Sequence, residues 1–156
     1  HKDWERYDIS RYTSPGCVSP EDGYRAIPRP ANEIRYATIQ KDLDSLAGER
    51  SLECAIFLFH SPPYDTCLDR VANDGKMIDS VPLDLKVGSI AIRRFIERRQ
   101  PLLTLHGHIH ESTRLTGEWK EKIDQSHTFG AAHDGTELAL VRFDLTNLDA
   151  ATRELL

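Results

Sequence analysis

The 156-residue sequence predicts an α/β domain built on parallel strands, and three observations carry that prediction. Two short runs, Cys54–Phe59 and Leu102–Leu105, are apolar or β-branched throughout, as in strands buried on both faces of a parallel sheet. Between them, Ile92, Phe95 and Ile96 recur at helical spacing, the signature of a crossover helix. Each run also stops abruptly at histidine, the first at His60-Ser61-Pro62-Pro63 and the second at His106-Gly107-His108-Ile109-His110.

Residues 1–30 carry Pro15, Pro20, Pro28 and Pro30 and no periodic apolar pattern. An ordered connection with little regular structure is expected there, tacked to a neighbouring surface by Trp4, Tyr7, Tyr12 and Tyr24. Asn32 suits the N-cap of a helix running to Ala47, with Gly48 as its stop and Ile39, Leu43, Leu46 and Ala47 as its apolar stripe. The strand 54–59 follows. Pro62 and Pro63 halt it and leave His60 at the mouth of the sheet. Thr66 to Lys86 is polar and turn-rich, with Asn73-Asp74-Gly75 as its turn. Ser89 caps a helix reaching Gln100, wet along Arg93, Arg94, Glu97 and Arg98, and Pro101 ends it. The second strand begins at once. Beyond Ser112, Leu115–Ile123 reads as a strand or hairpin on an outer edge, and Glu137–Leu145 as a final strand launched from Asp134-Gly135. Thr146–Leu156 reads as a short helix or a frayed end.

The formal net charge of -5 argues against a nucleic-acid-binding face, which would be basic. No apolar run approaches the roughly 20 residues that span a bilayer. Cys17, Cys54 and Cys67 are an odd, scattered set without a Cys-x-x-Cys pair, which predicts reduced thiols and a cytoplasmic setting. The length suits a single domain over residues 1–156. The chain opens at His1, its only methionine is Met77, and its first thirty residues lack pattern, so it is expected to begin inside a larger unit.

Parallel neighbours joined by a helical crossover end on the same edge of their sheet, where ligands of open α/β sheets bind. That topology brings His60 together with His108 and His110. Neutral imidazoles suit zinc, iron or manganese, and the lack of cysteine partners argues against a structural zinc finger. Gly107 lets the backbone pass close to whatever the imidazoles hold, and can take positive φ. Carboxylates nearby are Asp65, Asp69 and Glu111. Asp65 is expected to cap a turn, Asp69 to face water, and Glu111 to orient a ligating imidazole from behind. Tyr64, in the loop after His60, is the other residue placed beside the site. His106 is expected to be a satisfied polar residue, and His127 and His133 to have surface roles.

Two strings, Phe59-His60-Ser61-Pro62-Pro63-Tyr64 and Leu105-His106-Gly107-His108-Ile109-His110-Glu111-Ser112, together resemble the C-terminal half of calcineurin-like metallophosphoesterases, uncharacterised bacterial and archaeal members in particular. The resemblance implies two stacked β-sheets flanked by helices, with two divalent ions (manganese, iron, zinc or similar) at the strand ends. It implies that His60 and His108 hold one ion and His110 the other. The implied reaction is hydrolysis of a phosphomonoester or phosphodiester by a hydroxide bridging the metals. The family's Asp-x-His pair, Gly-Asp segment and Gly-Asn-His/Asp segment normally precede the part seen here, and none occurs in this sequence. The expectation is a domain whose N-terminal half is missing, with a centre completed by upstream sequence. No catalytic residue is identifiable in this chain, which alone would offer at most one weak metal site. The expected partner is a phosphate ester. Substrate, metal identity and oligomeric state stay open. So do two other readings: a scaffold of the same shape that binds protein without turnover, and a single-zinc hydrolase of another family.

Overall fold

The structure is a computed structural model describing residues 17–18, 27–28, 38–78, 81–82 and 84–156. It divides into two compact units, His1–Gly48 and Glu49–Leu156. In the first, β1 (Cys17–Val18) pairs antiparallel with β2 (Ile27–Pro28); the rest of the expected irregular opening lies outside the described residues. The helix α1 runs Ile39–Ala47. The expected start at Asn32 lies outside the described residues, and the observed N-cap is Thr38, whose hydroxyl accepts from Lys41 N at 3.2 Å. Gly48 closes the helix at φ 54°, as its position predicted. Leu43 and Ala47 are buried, but Leu46, expected in the same stripe, is 70% exposed.

The second unit holds the predicted strand–helix–strand core. Strand β3 (Ile56–Phe59) pairs parallel with β6 (Leu103–His106), and α2 (Ile90–Arg99) makes the crossover between them. Ser89 caps α2 by accepting from Ile92 N at 3.2 Å, and Gln100 ends it in the left-handed region. Pro101, which cannot continue a helix, comes next. Short pieces β4 (Met77–Ile78) and β5 (Val81–Pro82) pair antiparallel within the polar loop. Ahead of them lies the predicted turn, with Gly75 at φ 73° and Lys76 N donating to Asn73 O at 3.1 Å.

After β6 come a short helix α3 (Ser112–Thr116), strand β7 (Lys120–Ile123) and strand β8 (Ser126–Gly130). The sheet order is β3-β6-β8-β7, with β8 parallel to β6 and only β7 antiparallel. The expected outer-edge strand is therefore β7. Strand β8, buried and central, carries no long apolar run to announce it. A separate antiparallel pair follows: β9 (Ala139–Asp144) is the final strand expected over Glu137–Leu145, and β10 (Asn147–Leu155) stands where a helix or frayed end was expected over residues 146–156. The turn between them is held by Asp144, whose carboxylate accepts from Thr146 N at 2.8 Å and from its hydroxyl at 2.7 Å. The fold is thus α/β, with a four-stranded mixed sheet and, besides the short pairs β1-β2 and β4-β5, a separate antiparallel pair of longer strands, β9 and β10.

Alternation along the strands gives the main sheet two faces. One carries Phe57 and Phe59, whose rings meet Phe95 of α2 edge-on at centroid distances of 5.1 and 6.4 Å. The other carries Leu103 and Phe129, packed with Leu148 and Ala151 of β10 and with Val141 and Phe143 of β9. That cover does not reach β3: Ile56 is 38% and Leu58 79% exposed, although their strand was expected to be buried on both faces. The reason is position, because β3 is an edge strand among the described residues. Among the described residues, no helix is long and apolar enough to cross a membrane. Cys54 and Cys67 are free thiols, and burial, then the charge of Glu121, pushes the Cys67 thiol far up.

Candidate metal centre

Phe59, His106 and Gly130 are register partners across three parallel strands, so β3, β6 and β8 reach one rim together. His60 is the first residue beyond that rim on β3, and His108 the second beyond it on β6. Their exposed rings meet with centroids 4.5 Å apart and planes tilted by 60°. Residues 48 positions apart in sequence are side by side, as the crossover topology requires.

The backbone beneath them is tied down. Gly107 N donates to His60 O at 3.2 Å, and Ile109 N donates to Gly107 O at 2.9 Å. Between those last two residues His108 stands at φ 72°, which describes a tight γ-turn in the left-handed region. The positive φ that Gly107 is free to take falls on His108 instead. Gly107 itself is not crowded: a Cβ there would meet only His60 O, at 3.8 Å. Strain on a non-glycine residue persists only where its surroundings over-determine it, and such residues cluster at functional sites. Here the buried Ile109 side chain fixes the far end of the turn.

The loop after His60 is braced against the segment that leads into α2. Pro62 and Pro63 are fully buried. Ser89 N donates to Pro62 O at 2.8 Å and Tyr64 N to Ser89 O at 3.0 Å. Gly88 is required at this contact, because a Cβ on it would sit 2.5 Å from Pro63 O. Asp69 organises the same loop. It does not face water as expected, but is 0% exposed. Its carboxylate accepts from Asp65 N at 2.9 Å, from Thr66 N and Gly88 N each at 3.1 Å, and lies 3.3 Å from Lys86 Nζ. A carboxylate spent on three backbone amides and an ammonium is a structural hub. Neither Gly88 nor the hub role of Asp69 is legible in the sequence, because both depend on a contact between two loops.

The remaining candidates surround this pair. His110 is exposed, in the turn that enters α3. Glu111 forms the N-cap of α3 without a side-chain capping bond, and its carboxylate accepts from Ala72 N at 3.3 Å. Tyr64 donates its hydroxyl to Asp84 at 2.8 Å, which raises the phenol's pKa. Asp65 stands at φ 55° with its side chain exposed, and Arg93 donates to its carbonyl at 3.0 Å. Among the described residues, no three or more His, Cys, Asp or Glu side chains are grouped to hold a metal ion. The structure brings together two of the three predicted ligands.

His106 is the satisfied polar residue expected. It is 5% exposed, stacks on Phe59 at 5.6 Å, and uses both ring nitrogens: Nδ1 lies 3.0 Å from Ser61 O and Nε2 2.7 Å from Thr104 Oγ1. Burial pulls its pKa down to about 4, against the smaller upward effect of the Ser61 carbonyl. His127 is half-buried, its Nδ1 4.0 Å from Asp149, and burial and then Lys122 lower its pKa. His133 contacts Glu137 at 3.1 Å.

No family model matches this chain, and no curated protein matches it. Among solved structures it is similar to the crystal structure of TT1561 of Thermus thermophilus, at 20% identity and a TM-score of 0.41. The match covers 91% of this chain and 48% of that one, so the chain spans about half the length of the structure it matches.

Proposed function

We propose that this chain carries part of the metal centre of a phosphoesterase, with His60 and His108 as ligands to one divalent cation and His110 to a second. The observation that carries the reading is the meeting of His60 and His108 at 4.5 Å, at the rim where three parallel strands end. The donor set fits a cation of the zinc, manganese or iron kind. Two exposed imidazoles present nitrogen donors, and an imidazole ligand carries no negative charge to cancel the ion's. Bound cations of this kind polarise phosphoryl oxygens and neutralise charge that develops during in-line displacement. The protein's contribution is orientation. The γ-turn at His108 and the His60 O–Gly107 N bond hold the two rings at one point of the rim. Asp69 and Gly88 fix the loop that follows His60.

Three histidines are too few donors for two cations, so the reading requires further ligands, and among the described residues no group of three or more His, Cys, Asp or Glu supplies them. The chain alone is expected to bind one ion weakly and to hydrolyse phosphate esters poorly. Calorimetric titration with Zn²⁺ and Mn²⁺ tests the first half. Wild type is expected to bind, and His60→Ala or His108→Ala to weaken binding by at least about tenfold; binding unchanged in both variants contradicts the reading. The longest natural polypeptide containing this sequence tests the second half. It should hydrolyse bis(4-nitrophenyl) phosphate with Mn²⁺ and lose that activity on His108→Ala.

A further inference from the structure

His106 lies within the histidine-rich segment but is not among the proposed ligands. Its surroundings give it a different job. The oxygen facing Nδ1 is the Ser61 carbonyl, which can only accept, so Nδ1 carries the ring proton and donates at 3.0 Å. Nε2 is then an acceptor, and Thr104 supplies the donor: its hydroxyl lies 2.7 Å from Nε2, against 3.4 Å to the His127 carbonyl. The ring is stacked on Phe59, which leaves it little freedom to turn. Ser61 is the residue after His60, and His106 lies two before His108. Together with the Gly107 N–His60 O bond at 3.2 Å, the imidazole makes a second tie between the two loops that carry the pair.

We infer that His106 is a positioning residue for the His60–His108 pair, its Nδ1–H holding the loop after His60 against the strand that leads to His108. The inference rests on the metal-binding reading above, but its geometric half stands without a metal. Ser61 O lies between two carbonyls already held, His60 O by Gly107 N and Pro62 O by Ser89 N, and of the three it is the one tied to the strand that leads to His108 through a side chain. Groups that orient ligating imidazoles from behind typically change metal affinity about 10- to 100-fold when removed.

Two substitutions separate this role from general support of the fold. His106→Asn places an amide N–H near the position of Nδ1 and keeps the donor to Ser61. His106→Gln buries an uncharged amide too, but carries it towards Nε2 and loses that donor. The readouts are Zn²⁺ affinity by calorimetry and, in the metal-free chain, the nuclear Overhauser contact between the His60 and His108 ring protons. The Asn variant is expected to keep the contact and to stay within about threefold of wild-type affinity. The Gln variant is expected to lose the contact and to weaken binding about 10- to 100-fold. Equal behaviour of the two variants on both readouts overturns the inference. If wild type takes up no Zn²⁺, the metal reading fails, and the ring contact alone still decides the positioning role. A measurement on wild type needs no variant to fold: ring ¹⁵N shifts should report the Nδ1–H tautomer at His106, and the Nε2–H tautomer overturns the inference.

Discussion

At the residue scale, His108 and His106 make opposite demands on the backbone and the solvent. His108 holds φ 72° without being glycine, and a side chain in that region costs about 1–2 kcal/mol. His108→Gly is therefore expected to be more stable than His108→Ala by about 1 kcal/mol in urea unfolding, while both lose metal affinity. Equal stability of the two would show that the turn is unstrained. His106 has the sign of a buried neutral base. Its folded pKa of about 4 lies below its ordinary 6.5, so between those values the unfolded chain binds more protons than the folded one. Stability is complete above the upper value and lost as pH falls towards the lower. His127, also held below its ordinary value, acts in the same sense. In chelator, the His106 contribution to stability should fall by about 2 kcal/mol from about pH 7 to about pH 5. His106→Asn, which removes the titrating group, should flatten the pH dependence by that amount.

At the element scale, the difference between β6 and β3 sets the energetics. Leu103 is fully buried and Phe95 2% exposed, while Leu58 stands 79% exposed on the edge strand. Leu103→Ala should cost about 2–5 kcal/mol and Phe95→Ala about 3–5 kcal/mol. Leu58→Thr should change stability by less than about 0.5 kcal/mol, as expected of a surface site. A large loss at Leu58 would mean that the face is covered in solution. The same contrast explains what the sequence made legible. Apolar runs and the Ser89–Pro101 boundaries located β3, α2 and β6, because those signals are local. They did not reveal that β3 is an edge, since a run of six apolar residues looks alike with or without a neighbour. Strand β8 reads Ser-His-Thr-Phe-Gly, and its polar members Ser126 and Thr128 are buried with Phe129, so hydrophobicity gave no cue. The end of the chain offered no clear pattern. It is strand β10, whose register with β9 shifts between Asn147 and Thr152, and its buried residues Leu148 and Ala151 fall within that shift, so no period-2 alternation marks it as a strand.

At the scale of the whole molecule, the proposed centre depends on three parallel strands delivering their ends to one rim. Topology made the His60–His108 meeting predictable, since it needs only two strands, a right-sized crossover and histidines at the strand ends. The bracing behind the pair was not predictable, because Asp69, Gly88 and Ser61 act through loop-to-loop contacts that no spacing encodes. The proposed centre is thus a feature of the second unit's architecture, with exposed rings mounted on a tied and largely buried base.

The most direct test of that centre is to follow the ring ¹⁵N resonances of all seven histidines during titration with Zn²⁺. His60 and His108 should shift together and saturate at the same metal concentration, with His106 keeping its Nδ1–H signal throughout. If Zn²⁺ moves other histidines while leaving His60 and His108 unperturbed, the rim pair is no metal centre and the proposed function is wrong.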